Sequence, residues 1–199
     1  MDKNITNIMM VGVGGQGSLL ASRILGAAAL KLNYDVKASE VHGMSQRGGS
    51  VVTYLKYGGK VYSPVICRGE ADIILAFEQL EALRWLPYLK KGGVMIMSAY
   101  KVNPAPVTTG AMEYPENIDK TITGTGVNLI CVDAFNLAVQ AGTDKAANVV
   151  IIGVLAKFMK DKIDKSVYIE ALRGEINPKF FDANLAAFNL GYEMGLPAQ

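Results

Sequence analysis

The sequence predicts an α/β protein, a three-layer sandwich with a mainly parallel sheet and a helical C-terminal third. Three observations carry that expectation. Short apolar runs of strand length alternate with segments of helical apolar spacing. The first run ends in a glycine cluster that opens a helix. From Ala134 onward every segment reads as helix.

Ile8-Met9-Met10-Val11 is the first apolar run, and it leads into Gly12-Val13-Gly14-Gly15-Gln16-Gly17. Leu19, Leu20, Ile24, Leu25, Ala28 and Leu32 then recur at helical spacing. Strand, glycine turn and helix make the opening of a Rossmann-like βαβ unit. Val36 to Val41 reads as the second strand, followed by a polar, glycine-rich loop from His42 to Gly49. Ser50 to Tyr57 alternates like a strand, with Gly58-Gly59 turning it and Lys60 to Ser63 returning as a hairpin. Ala71 to Phe77 has the composition of a buried strand. Glu78 to Leu89 has helical character, although Pro87 weakens its last turn. Lys91-Gly92-Gly93 is expected to end it before a strand at Val94 to Met97.

Residues 100–128 hold three of the seven prolines, Pro104, Pro106 and Pro115, and read as a loop-rich excursion within one domain. A strand at Leu129 to Val132 and a short helix at Ala134 to Ala141 follow. Val149 to Met159, Lys165 to Arg173 and Pro178 to Met194 complete the helical third. Phe180, Phe181, Leu185, Phe188 and Tyr192 give the last helix an aromatic face suited to a core or a subunit interface.

Bulk composition narrows the function classes. Half of the 199 residues are hydrophobic and 19% are charged, enough apolar material for a two-sided core. A net charge of +2 offers no electrostatic case for nucleic acid or an anionic membrane surface. No run approaches the length needed to span a bilayer, and the N-terminus lacks a signal-peptide hydrophobic region, so a cytoplasmic protein is expected. The two cysteines, Cys67 and Cys131, lie far apart, which excludes a Cys₄ iron–sulfur cluster or a cysteine-based zinc site within the chain. Both follow apolar neighbours, so buried free thiols are expected.

The 21 glycines are clustered, and clusters mark places where backbone comes close to something. Gly12, Gly14 and Gly17 fit the G-x-G-x-x-G pattern, in which missing side chains let backbone N–H groups approach an anion at a helix N-terminus. The same glycines also suit a tight strand–helix turn or a subunit contact, and the pattern alone does not choose. Glu40, 28 residues beyond Gly12, stands near where a dinucleotide site places an acid for ribose.

The second cluster is denser. Residues 40–51, Glu-Val-His-Gly-Met-Ser-Gln-Arg-Gly-Gly-Ser-Val, pack an acid, the only histidine, an amide, an arginine and three glycines into twelve positions. Such polarity beside a strand end calls for water, a ligand or a partner. Arg47 can fork onto a carboxylate or phosphate, and its flanking glycines admit a bulky ligand. His42 can exchange protons near neutral pH, although a lone histidine more often serves as a structural hydrogen-bonder. No nucleophile, base and orienting group can be assembled around it. Asp72 and Glu78 at the two ends of one strand suit either a polar contact at the sheet edge or stabilisation of a helix N-terminus.

Together, residues 12–17 and 40–51 resemble the γ-type domain of the 2-oxoacid:ferredoxin oxidoreductases. Residues 71–78 and 80–84, and Asn148 with the apolar helix after it, resemble later blocks of that family, so the likeness covers roughly residues 5–195. The whole chain, 1–199, is identified as a single domain of this type. The His-Gly-Met-Ser-Gln-Arg-Gly-Gly form is similar to the indolepyruvate branch, whose small β subunit is a separate chain of this length. One departure is Gln79, where the family pattern has proline after the glutamate.

The resemblance implies thiamine-diphosphate-dependent decarboxylation of a 2-oxoacid, one-electron transfer through iron–sulfur clusters to ferredoxin, and acyl transfer to coenzyme A. This sequence has no Gly-Asp-Gly followed by an Asn-Asn pair for the thiamine diphosphate magnesium, and no closely spaced cysteines. A larger partner subunit is therefore expected to carry thiamine diphosphate, Mg and the clusters, while this chain covers part of the active site. On this reading His42 and Arg47 are the candidate catalytic residues. Gly12, Gly14, Gly15, Gln16, Gly17, Ser45, Gln46, Gly48 and Gly49 are the candidate cofactor-binding residues, with coenzyme A possible at the shared site and no metal ligand. An exposed partner-binding face is expected to make the isolated chain self-associate. Two rivals remain at this stage: a self-sufficient NAD(P)- or flavin-binding oxidoreductase using the same glycine turn, and a purely structural assembly subunit.

Overall fold

A computed structural model describes residues 5–43 and 48–194. Its centre is one six-stranded sheet in the order β2-β3-β1-β4-β5-β6. The strands are β1 (Thr6–Val13), β2 (Asp35–His42), β3 (Ser50–Gly58), β4 (Ala71–Ala76), β5 (Leu89–Ser98) and β6 (Asn128–Val132). The pairs β1–β4, β4–β5 and β5–β6 are parallel, whereas β3 is antiparallel to both β1 and β2. The sheet is thus mostly parallel, with an antiparallel strand inserted beside β1.

That insertion corrects the expected hairpin. β3 has β1 on one edge, with Thr6 opposite Tyr57, and β2 on the other, with Val36 opposite Tyr57. Residues 60–63 find no free edge of β3 to pair with, and Lys60 to Ser63 form no strand. The Val61 amide donates instead to the Asp35 carboxylate at 2.8 Å.

Side-chain alternation gives the sheet two buried faces. Ile8, Met10, Leu55, Ile73, Leu75 and Ile96 form one core with α1 (Ser18–Lys31), α6 (Ala147–Phe158), α7 (Lys165–Glu175) and α8 (Phe181–Glu193). Met9, Val11, Val52, Ile74, Met95 and Met97 form the other, beneath α2 (Gln79–Trp85) and α4 (Ile118–Thr123). Two further short helices, α3 (Ala105–Thr108) and α5 (Ala134–Gln140), complete the set. α6 is buried along most of its length, and it crosses α8 where Gly153 and Gly191 allow backbone contact. On α8, Phe181 and Phe188 belong to the core, while the preceding Phe180 is exposed.

Other expectations shift locally. The helix begun at Glu78 ends at Trp85; a 3₁₀ turn spanning Leu86–Tyr88 takes Pro87, and β5 starts at Leu89. Lys91-Gly92-Gly93 lies within β5 rather than ahead of it. Gly92 there adopts φ +78°, where the register against β4 slips. The 100–128 excursion contains α3 and α4. Both cysteines are exposed, against the expectation of burial. On the edge strand β6, Ile130 and Val132 face the core and the alternation turns Cys131 away from it. Before β4, Ile66 takes the buried position and Cys67 the exposed one.

Among the described residues, no helix is long and apolar enough to cross a membrane.

Candidate functional site

Because β1, β4, β5 and β6 run parallel, their carboxyl ends gather on one edge of the sheet. β3 runs the other way, so its first residue, Ser50, pairs with Val13, the last of β1. The two glycine loops meet at that point: the Gly14 amide donates to the Gly49 carbonyl at 2.9 Å.

Within the first loop the residues divide by role. Gln16 folds back on its own turn, Oε1 accepting from the Val13 amide at 2.8 Å and Nε2 donating to the Phe77 carbonyl at 3.1 Å. A methyl group on Gly12 would lie 2.5 Å from Gln16 Oε1, so this glycine makes room for the fold-back. Gly17, at φ +80°, is the N-cap of α1, and its carbonyl accepts from Asn148 Nδ2 at 3.1 Å. Gly15 faces open space, and Gly14 borders the same space.

That space is a cleft of about 380 Å³ lined by Gly14, Gly15, Gly17, Ser18, Glu40 and His42, among others. Glu40 reaches back over β3 toward the start of α1. Its Oε2 lies 3.4 Å from the Ser18 hydroxyl and 3.2 Å from the Thr53 hydroxyl, and Oε1 lies 3.6 Å from His42 Nδ1. The strand beside β1 is β3, so Glu40 on β2 sits one strand further out than an acid next to β1 would. Its carboxylate thus stands beside Ser18, the first residue of α1. His42 is half exposed at the mouth.

Gly15 and Gln16 also border a second cavity, about 240 Å³, with Ser98, Tyr100, Phe135, Lys145 and Asn148. Tyr100 and Phe135 stack there with ring centroids 5.3 Å apart. Sequence reasoning missed Ser98, Tyr100, Phe135 and Lys145. Ser98 had a usable signal, as the last residue of a strand ending at the sheet's carboxyl edge; Lys145 had only its closeness to Asn148. Gly48 lines a third, smaller cavity with Ser50, Glu78, Glu81 and Arg84. Met44, Ser45, Gln46 and Arg47 lie outside the described residues.

Glu78 and Asp72 separate clearly. Glu78, 1% exposed, caps α2: Oε2 accepts from the Glu81 amide at 2.9 Å, while Oε1 accepts from the Val102 amide at 3.1 Å and from the Tyr114 hydroxyl. Burial, reinforced by the bond to Glu78, holds the Tyr114 hydroxyl protonated well above the usual tyrosine range. Asp72 sits at the opposite end of β4, paired with Lys90 and accepting from the Asn7 amide at 2.6 Å. The departure at Gln79 is put to use, since its amide donates to the Tyr100 carbonyl at 3.1 Å, which a proline there would be unable to do. Among the described residues no group of three or more His, Cys, Asp or Glu side chains is placed to hold a metal ion.

The sequence matches the family described as pyruvate ferredoxin/flavodoxin oxidoreductase over residues 7–194. It is 42% identical to the indolepyruvate oxidoreductase subunit IorB of Thermococcus kodakarensis, over 188 residues that cover 93% of each chain. To the protein of the same name from Pyrococcus horikoshii it is 43% identical, again with 93% of each chain covered. Among solved structures, pyruvate oxidoreductase subunit PORC from Thermotoga maritima superposes with a TM-score of 0.73 at 20% identity, covering 96% of this chain and 97% of that one. The 2-oxoglutarate:ferredoxin oxidoreductase from Magnetococcus marinus, solved with 2-oxoglutarate, coenzyme A and succinyl-CoA bound, superposes with a TM-score of 0.71 at 19% identity. The alignment covers 98% of this chain and 32% of that longer one. At such identities the structures speak for the fold, and the match along the sequence speaks for descent: the chain belongs to the pyruvate ferredoxin/flavodoxin oxidoreductase family.

Proposed function

We propose that this chain is the small subunit of an indolepyruvate-type 2-oxoacid:ferredoxin oxidoreductase. In this reading it covers part of the active site of a larger subunit during oxidative decarboxylation of an aryl pyruvate to its acyl-CoA. The observation that carries the reading is the junction of the two glycine loops at Gly14 and Gly49, beside an open cleft bounded by Glu40 and His42. Cover and positioning are what such a site supplies. The donor set suits neither thiamine diphosphate with its Mg nor an iron–sulfur cluster, because Cys67 precedes β4 while Cys131 lies on β6, and among the described residues no acidic cluster is placed for a metal. Those groups are assigned to the partner, and ferredoxin is reached through the assembled complex.

For coenzyme A, the chain offers the backbone of Gly14, Gly15, Gly48 and Gly49, together with Ser45, Gln46 and Arg47 of the second loop. Its phosphates suit Arg47 and Lys145 rather than the start of α1, where Glu40 already stands. The same placement of Glu40 argues against the rival reading, since a dinucleotide pyrophosphate at the α1 N-terminus would meet a resident carboxylate. His42, half exposed at the cleft mouth, is assigned the contact with bound substrate in this reading.

The test is made in the assembled complex. His42→Ala and Arg47→Ala are each expected to change kcat or the KM for aryl pyruvate or coenzyme A by at least tenfold. Unchanged constants in both variants would overturn the active-site role. Separately, NAD(P) or flavin retained by the purified chain, or raising its melting temperature, would favour the self-sufficient oxidoreductase instead.

A further inference from the structure

Glu81 is a buried carboxylate for which the cleft has no direct use. It is 3% exposed, in the first turn of α2. Its Oε2 accepts from the Ser50 hydroxyl at 2.5 Å and from Trp85 Nε1 at 3.2 Å, and Oε1 meets Arg84 Nε at 3.2 Å. The helix cap belongs to Glu78. An acid in the first turn gains from the helix dipole without being buried. Burying a carboxylate is unfavourable unless several donors compensate it, so the burial has to come from what Glu81 reaches.

It reaches Ser50, 31 residues away in sequence. Ser50 opens β3 opposite Val13, and the residue before it, Gly49, receives the Gly14 amide. The carboxylate therefore holds the Ser50 side chain next to the Gly14–Gly49 hydrogen bond that joins the two glycine loops. Glu81 does not line the cleft between Gly14, Glu40 and His42; it borders the smaller cavity behind, beside Gly48.

We propose that Glu81 is a positioning residue of the active-site cover, setting Gly48 and Gly49 against Gly14 through the Ser50 hydroxyl. The inference rests on the proposal that these loops face the active site. Small misplacements of a positioned group lower turnover out of proportion to any loss of stability.

The experiment uses the assembled complex and compares Ser50→Ala, Ser50→Thr, Glu81→Gln and Trp85→Phe with His42→Ala and Arg47→Ala. Ser50→Ala and Glu81→Gln are expected to lower kcat/KM by tenfold or more, with melting temperatures within a few degrees of the parent. Ser50→Thr, which keeps the hydroxyl, restores most of the activity. Trp85→Phe, which removes a Glu81 contact that does not touch the loops, leaves it unchanged. The proposal is overturned if Ser50→Ala retains the parent constants while His42→Ala or Arg47→Ala loses activity. It is overturned equally if Ser50→Thr is as impaired as Ser50→Ala. If His42→Ala and Arg47→Ala also retain the parent constants, the cover reading itself fails and takes this inference with it. Ser50→Ala removes one oxygen at a strand end, so it keeps the test decisive even where Glu81→Gln does not fold.

Discussion

Asn148 and Gly17 hold each other at a distance that leaves no room for a side chain. Asn148 Nδ2 donates to the Gly17 carbonyl at 3.1 Å, and a methyl group on Gly17 would lie 2.5 Å from that same nitrogen. The start of α1 is thereby fixed against the start of α6, 131 residues away in sequence. Gly17→Ala meets two obstacles: the left-handed backbone at φ +80° and the displaced amide. We expect a loss of about 2–3 kcal/mol, from about 1–2 for the backbone and the rest for the displaced hydrogen bond. Chemical denaturation of Gly17→Ala, Asn148→Ala and the double variant measures it. The double variant is expected to recover only the steric part, and equal stability of Gly17→Ala and the parent would contradict the close approach.

Helix crossing at Gly153 makes a sharper demand. A methyl group there would lie 2.1 Å from the Phe188 carbonyl oxygen and 2.9 Å from the Tyr192 nitrogen, both backbone atoms that no rotamer change can move. Gly153→Ala must push α6 and α8 apart, at a cost of about 3 kcal/mol or more. Gly174 is the contrast: it is exposed in α7, and nothing lies within 4 Å of where its methyl group would go. Gly174→Ala is expected to stabilise by about 0.5–1 kcal/mol through helix propensity alone. Thermal melts of the two variants should therefore move in opposite directions.

The contrast between these glycines marks what the sequence could and could not convey. The strand, glycine turn and α1 were legible because an apolar run, a glycine cluster and helical spacing follow one another within 25 residues. The strand character of residues 50–57 was legible too, but alternation names a strand without naming its neighbours. Pairing with β1 and β2 on both edges was invisible, and the false hairpin at residues 60–63 followed from that. The meeting of Gly14 with Gly49 depends on the same pairing. Glu78 and Glu81 look alike in sequence, as two acids at a helix start. Only the approach of Ser50 and Val102 from distant segments buries them and gives them different work.

Cysteine exposure has a direct chemical readout. Cys67 and Cys131 are both exposed, so two thiols per chain should react with a thiol reagent in the absence of denaturant. Partial desolvation raises the Cys131 thiol, helped by the neighbouring charges of Asp119 and Asp133. Since the thiolate is the reacting form, the Cys131 phase is expected to quicken as pH rises. Cys131→Ser should remove that phase and leave one thiol. Failure of Cys131 to react in the parent before unfolding would show that the β6 edge is covered in solution.

Buried tyrosines weaken the fold at alkaline pH, and Tyr57 is the one whose share is simplest to isolate. Its hydroxyl lies in the core, 4.0 Å from Met159 Sδ, and burial pushes its pKa up to about 12. Tyr168, also against Met159 Sδ, and Tyr114 are raised by the same cause. An unfolded tyrosine ionises near pH 10. Below that value both states keep the proton and stability does not depend on it. Between about pH 10 and 12 the unfolded chain releases a proton that the folded chain retains, so stability falls as pH rises. For Tyr57 alone the loss reaches about 2 kcal/mol by pH 12, the slope approaching about 1.4 kcal/mol per unit, or about one proton, between the two values. Tyr57→Phe removes the ionisable group together with a weak sulfur contact and a side-chain hydrogen bond with Thr6. It is expected to stay within about 1 kcal/mol of the parent at pH 8 and to lose stability less steeply above pH 10. Denaturation midpoints of the two proteins from pH 8 to 11.5 decide the matter, and parallel profiles across that range would mean that the Tyr57 hydroxyl reaches water.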